Sequence, residues 1–132
     1  MRGRFLIVGG DNPLGGSLIN AWAVQGAEVL STTRRPERVR AGVTLLDLES
    51  DLRNFQVPHA CSFAVLCAGI TKQHLCRRNP EATHRINVEQ TMCLAATLVA
   101  AGCFVVFLST NLVFDGSRLR RQIGRASCRE RV

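Results

Sequence analysis

The residues of this chain best suited to chemistry form a short loop, Gly9, Gly10, Asp11, Asn12, Pro13, Leu14 and Gly15. It lies between the apolar run of residues 5–8 and an amphipathic stretch that begins at Leu14. A strand, a glycine turn and a helix start in that order make an anion site, because the first helical amides lack partners within the helix and carry the positive end of its dipole. Glycines also let the backbone of the turn approach a pyrophosphate, which points to a dinucleotide. Against the G-x-G-x-x-G and G-x-x-G-x-x-G fingerprints, Gly9 and Gly15 supply the outer glycines, and Asn12 stands where the second pattern has its middle one. Asparagine tolerates the left-handed backbone that such a position can demand. Taken alone, the loop reads equally well as a glycine turn with no ligand.

Three further clusters fall where an open parallel sheet places its ligands, at the carboxyl ends of strands. The first is Thr32-Thr33-Arg34-Arg35. An NAD site usually carries an acid there for the adenosine ribose; Arg34 and Arg35 instead suit a 2′-phosphate, which favours NADP with NAD as the alternative. Pro36 follows, so a solvated bend is the competing reading. The second is Cys67-Ala68-Gly69, small residues that let the flat part of a ligand come close, and the third is Ser109-Thr110-Asn111.

The elements that must hold these residues are read from periodicity. Leu14, Leu18, Ile19, Trp22 and Gln25 fall at helical spacing with Gly26 as the stop, and residues 27–33 read as the next strand, closing a βαβ unit. Residues 43–46 form a short third strand ending at Asp47-Leu48, followed by a small polar helix over 51–55. Residues 63–67 are apolar throughout, as in a strand buried on both faces. Pro80 opens a long helix to about residue 101, with Ile86, Cys93, Leu94, Thr97, Leu98 and Ala101 on one face and Gly102 as its stop. By periodicity alone Asn87 within it means little. Residues 104–108 are the fifth strand. The fold class is α/β, a Rossmann-like doubly wound parallel sheet of about five strands in the order 3-2-1-4-5. The fifth strand is expected to present an apolar edge.

Composition excludes several classes. With 132 residues, 46% apolar and 20% charged, the chain reads as one ordinary globular domain with no run long enough to span a membrane, and with no secretory signal evident the cytoplasm is the expected location. Six cysteines without a C-x-x-C pair support neither a zinc knuckle nor a redox motif, and His74 with Cys76 is too small a set for a metal; reduced, mostly buried thiols are expected. The net charge of +7 is scattered, and the few aromatics sit in apolar runs, so no nucleic-acid surface is evident.

Residues 122–132 continue no periodicity and look like translated sequencing-adapter DNA followed by a stop, the alternative being a natural basic tail. Residues 1–121 are then the native part. Without the tail's three arginines and Glu130, 14 basic and 9 acidic side chains leave +5.

With these residues in hand, the chain resembles the extended short-chain dehydrogenase/reductase family, and within it the sugar-nucleotide-binding group typified by dTDP-4-dehydrorhamnose reductase. The resemblance covers residues 4–116. Its most specific piece is FLSTNLVFDG, residues 107–116, similar to the group's S-T-D-x-V-F-D-G signature, with Asn111 and Leu112 departing from the commoner Asp and Tyr. The loop at 9–15, TTRR, CAGIT at 67–71 and the spacing from Pro80 to Asn87-Val88 support it. The resemblance implies that the backbone around Asn12, Pro13, Leu14 and Gly15 holds the pyrophosphate, Arg34 and Arg35 the adenosine phosphate, and Asp47 with Leu48 the adenine edge. It implies that Ala68 and Gly69 flank the nicotinamide ribose, that Asn87 acts through the active-site network, and that Thr110 bonds the reacting sugar oxygen. It further implies hydride transfer at a keto carbon of a nucleotide-linked sugar, with a tyrosine and lysine of a Y-x-x-x-K motif; a homodimer is one option, the sequence itself naming no oligomeric state. The sequence holds no tyrosine and one lysine, Lys72. By the same resemblance the Y-x-x-x-K motif, a sixth strand and the substrate domain would come after the last residue given, so the chain is expected to be an inactive N-terminal part of such an enzyme; a non-catalytic dinucleotide-binding or regulatory protein of the same fold is the alternative.

Overall fold

The computed structural model describes residues 4–109 apart from Asp51. In chain order the elements are β1 (Arg4–Val8), α1 (Pro13–Val24), β2 (Glu28–Thr33), a 3-10 turn (Pro36–Arg38), β3 (Val43–Leu45) and a second 3-10 turn (Leu52–Asn54). They continue with β4 (Cys61–Leu66), α2 (Gln73–Arg78), α3 (Pro80–His84), a π-helical segment (Arg85–Gln90), α4 (Thr91–Ala100) and β5 (Phe104–Phe107). All five strands are parallel, in the order β3-β2-β1-β4-β5, as the sequence predicts. The chain runs outward from β1 through β2 to β3, then returns across β1 to β4. That reversal opens a crevice at the carboxyl ends of β1, β2 and β4.

The central strands are buried on both faces, which explains their unbroken apolar runs. On one face Leu6, Val8, Ala64 and Leu66 pack with Leu46, Leu48, Ile86, Leu94 and Leu98. On the other, Trp22 of α1 lies over Phe5 and Phe63, with ring centroids 4.8 and 5.8 Å away, and Phe63 stacks on Phe104 at 5.5 Å. Among the described residues β5 is the last strand on its side of the sheet, and its Phe104 and Phe107 are mostly exposed.

Four details differ from the sequence reading. Leu14 does not cover the sheet but is 52% exposed, because the first turn of α1 stands over the strand ends; its neighbour Gly15 is the buried residue there. α2 has no counterpart in the reading, since its six residues carry no apolar stripe to announce a helix. The single helix expected from Pro80 is interrupted by the π segment, whose extra residue shifts the phase. Ile86, Thr91, Leu94 and Leu98 are therefore the buried positions, a step of five before the ordinary three and four, while Cys93, Thr97 and Ala101 are exposed. The Thr91 hydroxyl closes the widened turn by donating to the Ile86 carbonyl at 2.9 Å. Finally, the thiols are less uniformly buried than expected: the five described cysteines are free, but only Cys61 and Cys103 are buried. Cys103 Sγ donates to the Cys61 carbonyl at 3.1 Å, and burial, then Cys103, pushes the Cys61 thiol up to about 12.

Candidate functional site

The glycine loop is built by close backbone approach. Gly9 has φ +88°, and a Cβ there would fall 2.8 Å from Ala68 N; a Cβ on Gly15 would fall 2.3 Å from Gly9 O. These two outer glycines are therefore obligatory on steric grounds. Asn12 is not left-handed, contrary to the reason suggested by its place in the fingerprint: its φ of −86° and ψ of 160° are extended. Its side chain explains it instead. Asn12 Oδ1 accepts from Gly15 N at 2.7 Å as the cap of α1, and Nδ2 donates to the Cys67 carbonyl at 2.8 Å, tying the loop to the end of β4.

This cap shapes the anion cradle. Pro13 has no N–H, Gly15 N is held by Asn12 Oδ1, and Gly16 N donates to Asn12 O at 2.9 Å. Leu14 N–H is the first-turn amide left without a partner among the described residues. Thr32 fixes the other side of the loop, accepting from Gly9 N through Oγ1 at 3.0 Å and from Gly10 N through its carbonyl at 2.9 Å.

A cavity of about 830 Å³ opens beside this loop. It brings together Gly9, Asn12, Arg34, Arg35, Asp47, Leu48, Ala68 and Gly69 from four separate segments. Pro13, Leu14, Gly15, Cys67 and Asn87 are not among its lining residues; Gly15 and Cys67 bond to Asn12, and Asn87 to Ile70, which are. Asp47 orders its own turn by accepting from Glu49 N at 2.9 Å, and Leu48 is buried in the core, so this pair is held from both sides. Cys67 locks β4 to β1 by donating its N–H to Val8 O at 2.8 Å, and burial raises its thiol pKa. Asn87 bridges both backbone groups of Ile70, accepting from the N–H and donating to the carbonyl, each at 2.8 Å. It thereby fixes the loop after β4, and Gly69 passes so near that an added Cβ would lie 3.1 Å from Asn87 Oδ1. The π segment supplies Asn87's placement, which a helix of ordinary period does not announce.

The sequence reading named Asp11, Thr32 and Thr33 without giving them a role and did not single out Arg38. Thr33 Oγ1 donates to Asp11 Oδ2, Arg38 Nη1 donates to Asp11 Oδ1 at 2.9 Å, and Arg35 N donates to Thr33 Oγ1 at 3.1 Å. The signal was present in β2, where Ser31, Thr32 and Thr33 are polar yet close a strand at its buried end. Thr110, Asn111, Leu112 and the boundary at residue 121 lie outside the described residues. Among the described residues no group of three His, Cys, Asp or Glu could hold a metal ion, and no helix is long and apolar enough to cross a membrane.

The family described as the RmlD substrate binding domain matches residues 3–125. The chain belongs to this family. Solved structures of extended short-chain dehydrogenase/reductase type share the fold of this RmlD-family chain. A hypothetical dTDP-4-dehydrorhamnose reductase from Sulfolobus tokodaii superimposes with a TM-score of 0.74 at 25% identity, over 87% of this chain and 42% of its own. MoeE5 in complex with UDP-glucose and NAD gives 0.68 at 25% identity, over 87% and 39%. A short-chain dehydrogenase/reductase superfamily protein from Agrobacterium tumefaciens with bound NAD gives 0.72 at 22% identity, over 87% and 35%. The chain thus spans well under half the length of these proteins. No match was found among curated protein sequences.

Proposed function

We propose that this RmlD-family chain is the cofactor-binding part of a nicotinamide-dinucleotide-dependent oxidoreductase acting on a nucleotide-linked sugar. The observation that carries the proposal is the cavity at the sheet's reversal point, walled by a glycine loop whose backbone approaches too closely to admit a Cβ at Gly9 or Gly15. Its size is that of a cofactor pocket. The resemblance in fold and sequence to MoeE5, which binds UDP-glucose and NAD, supports the substrate and cofactor classes.

In this reading Leu14 N–H and the positive end of α1 hold the pyrophosphate, Arg34 and Arg35 meet an adenosine 2′-phosphate and favour NADP over NAD, and Asp47 with Leu48 borders the adenine. Ala68 and Gly69 border the nicotinamide ribose, on a loop that Asn87 keeps rigid through Ile70. Thr110 bonds the sugar oxygen. When bound, the dinucleotide supplies hydride chemistry at a keto carbon. The chain has no tyrosine to donate a proton, so it is proposed to bind cofactor without turnover, as part of a cytoplasmic, self-associating protein with a nucleotide-sugar substrate. The departures at Asn12, Asn111 and Leu112 from the family's commoner residues favour the second reading, a non-catalytic dinucleotide-binding or regulatory protein of this fold.

Isothermal titration of NADP and NAD into the chain tests the proposal. Saturable binding of either, competed by 5′-AMP, is the expected result; binding of neither overturns it. Retention of the nucleotide fold without a Tyr and Lys four residues apart in the complete open reading frame would favour the non-catalytic reading.

A further inference from the structure

The turn that gathers Arg34, Arg35 and Arg38 already contains an anion. The Asp11 carboxylate accepts from the Thr33 hydroxyl through one oxygen and from Arg38 Nη1 through the other, at 2.9 Å for the latter. Thr33 Oγ1 is in turn fixed by Arg35 N at 3.1 Å, so the carboxylate is aimed by the strand end rather than by a flexible surface contact. Asp11, Arg34 and Arg35 all border the cavity, and the Asp11 side chain is only 26% exposed. A hydroxyl, a guanidinium and a second nearby guanidinium are the donors that recognition of a phosphate monoester calls for. Here a residue of the glycine loop occupies the first two, the Thr33 hydroxyl and the Arg38 guanidinium.

We propose that Asp11 sets the cofactor discrimination of this site, a conclusion that rests on the dinucleotide reading of the cavity. Its carboxylate engages Thr33 and Arg38 in place of a 2′-phosphate and repels that group, which carries nearly two negative charges near neutral pH. Arg34 and Arg35 attract the same phosphate. The opposition between them makes the site tolerant of a free 2′-hydroxyl, so that the two arginines alone overstate the preference for NADP. Discrimination of this kind is a difference between attractive and repulsive contacts, and deleting the repulsive one shifts it.

The test compares adenosine 2′,5′-bisphosphate with 5′-AMP, ligands that differ only in the 2′-phosphate, by calorimetric titration of the full chain. Asp11→Asn keeps the side chain's size and an acceptor for Thr33 while removing the charge. Its affinity for the bisphosphate is expected to rise roughly tenfold or more, with 5′-AMP changed less than about threefold. Arg38→Met, which leaves the carboxylate without its ion-pair partner, is expected to weaken the bisphosphate and spare 5′-AMP. A ratio of the two affinities that stays constant across the parent and both variants overturns the role of Asp11 and leaves the nucleotide site standing. Failure of both ligands to bind the folded parent removes the site, and the inference with it.

Discussion

Restoring the fingerprint glycine at position 12 is expected to damage this protein. In Asn12→Gly the loss of the cap on Gly15 N costs a few tenths of a kcal/mol, since glycine is itself a fair cap residue. Loss of the Nδ2 bond to the Cys67 carbonyl costs about 1 kcal/mol, as that acceptor is partly buried. Freeing an extended residue that needs no glycine adds roughly 0.5 to 1 kcal/mol through the unfolded chain. The total is about 2 kcal/mol, or on the order of 10 °C in Tm for a domain of this size. Asn12→Asp separates the contributions: it keeps the cap and gains from the helix dipole, but it loses the donor to Cys67, so its net loss is about 1 kcal/mol or less. Urea unfolding followed by Trp22 fluorescence reads both, because that indole packs against Phe5 and Phe63. Equal or greater stability of Asn12→Gly would refute the reasoning and return position 12 to a glycine that the chain merely lacks.

Two other outcomes follow from the same loop. Gly15→Ala sets a Cβ 2.3 Å from a backbone oxygen and should abolish cooperative folding, whereas Gly16→Ala, with only Gly10 O at 3.8 Å, should raise stability by up to about 1 kcal/mol. Comparable melting of the two variants would contradict the close approach. The Asp11 carboxyl is held below its ordinary value, first by the Thr33 hydroxyl and then by Arg38 and Arg35, against an opposing effect of burial. Its stabilising contribution is therefore present above the unfolded carboxyl value, at about pH 4, and is lost as pH falls through the lower folded value. Asp11→Asn should flatten stability over that acid range, and an acid limb parallel to the parent's would show that the carboxylate stabilises nothing.

Sequence alone determined the strands, the helix after the first of them, the glycine loop and the segments that reach the cavity. Each depends on short-range regularities: a two-residue or near four-residue repeat of apolar side chains, and glycines where the chain must turn. Arg34, Arg35, Asp47 and Ala68, all named from the sequence, meet at the cavity because each lies within two residues of the end of a strand, and in a parallel sheet the strand ends share one edge. Tertiary structure alone decided what the polar side chains do there. Asn12 meets Cys67 across 55 residues, Asp11 meets Arg38 across 27 and Asn87 meets Ile70 across 17. Such bonds leave no periodic trace, since a polar residue aimed at a distant backbone group and one facing water have the same spelling. The π segment belongs with them: its extra residue is stabilised by the Thr91 hydroxyl and by the fit of Asn87 against the loop after β4, and that partner exists only once the sheet has brought β4 and the helix together.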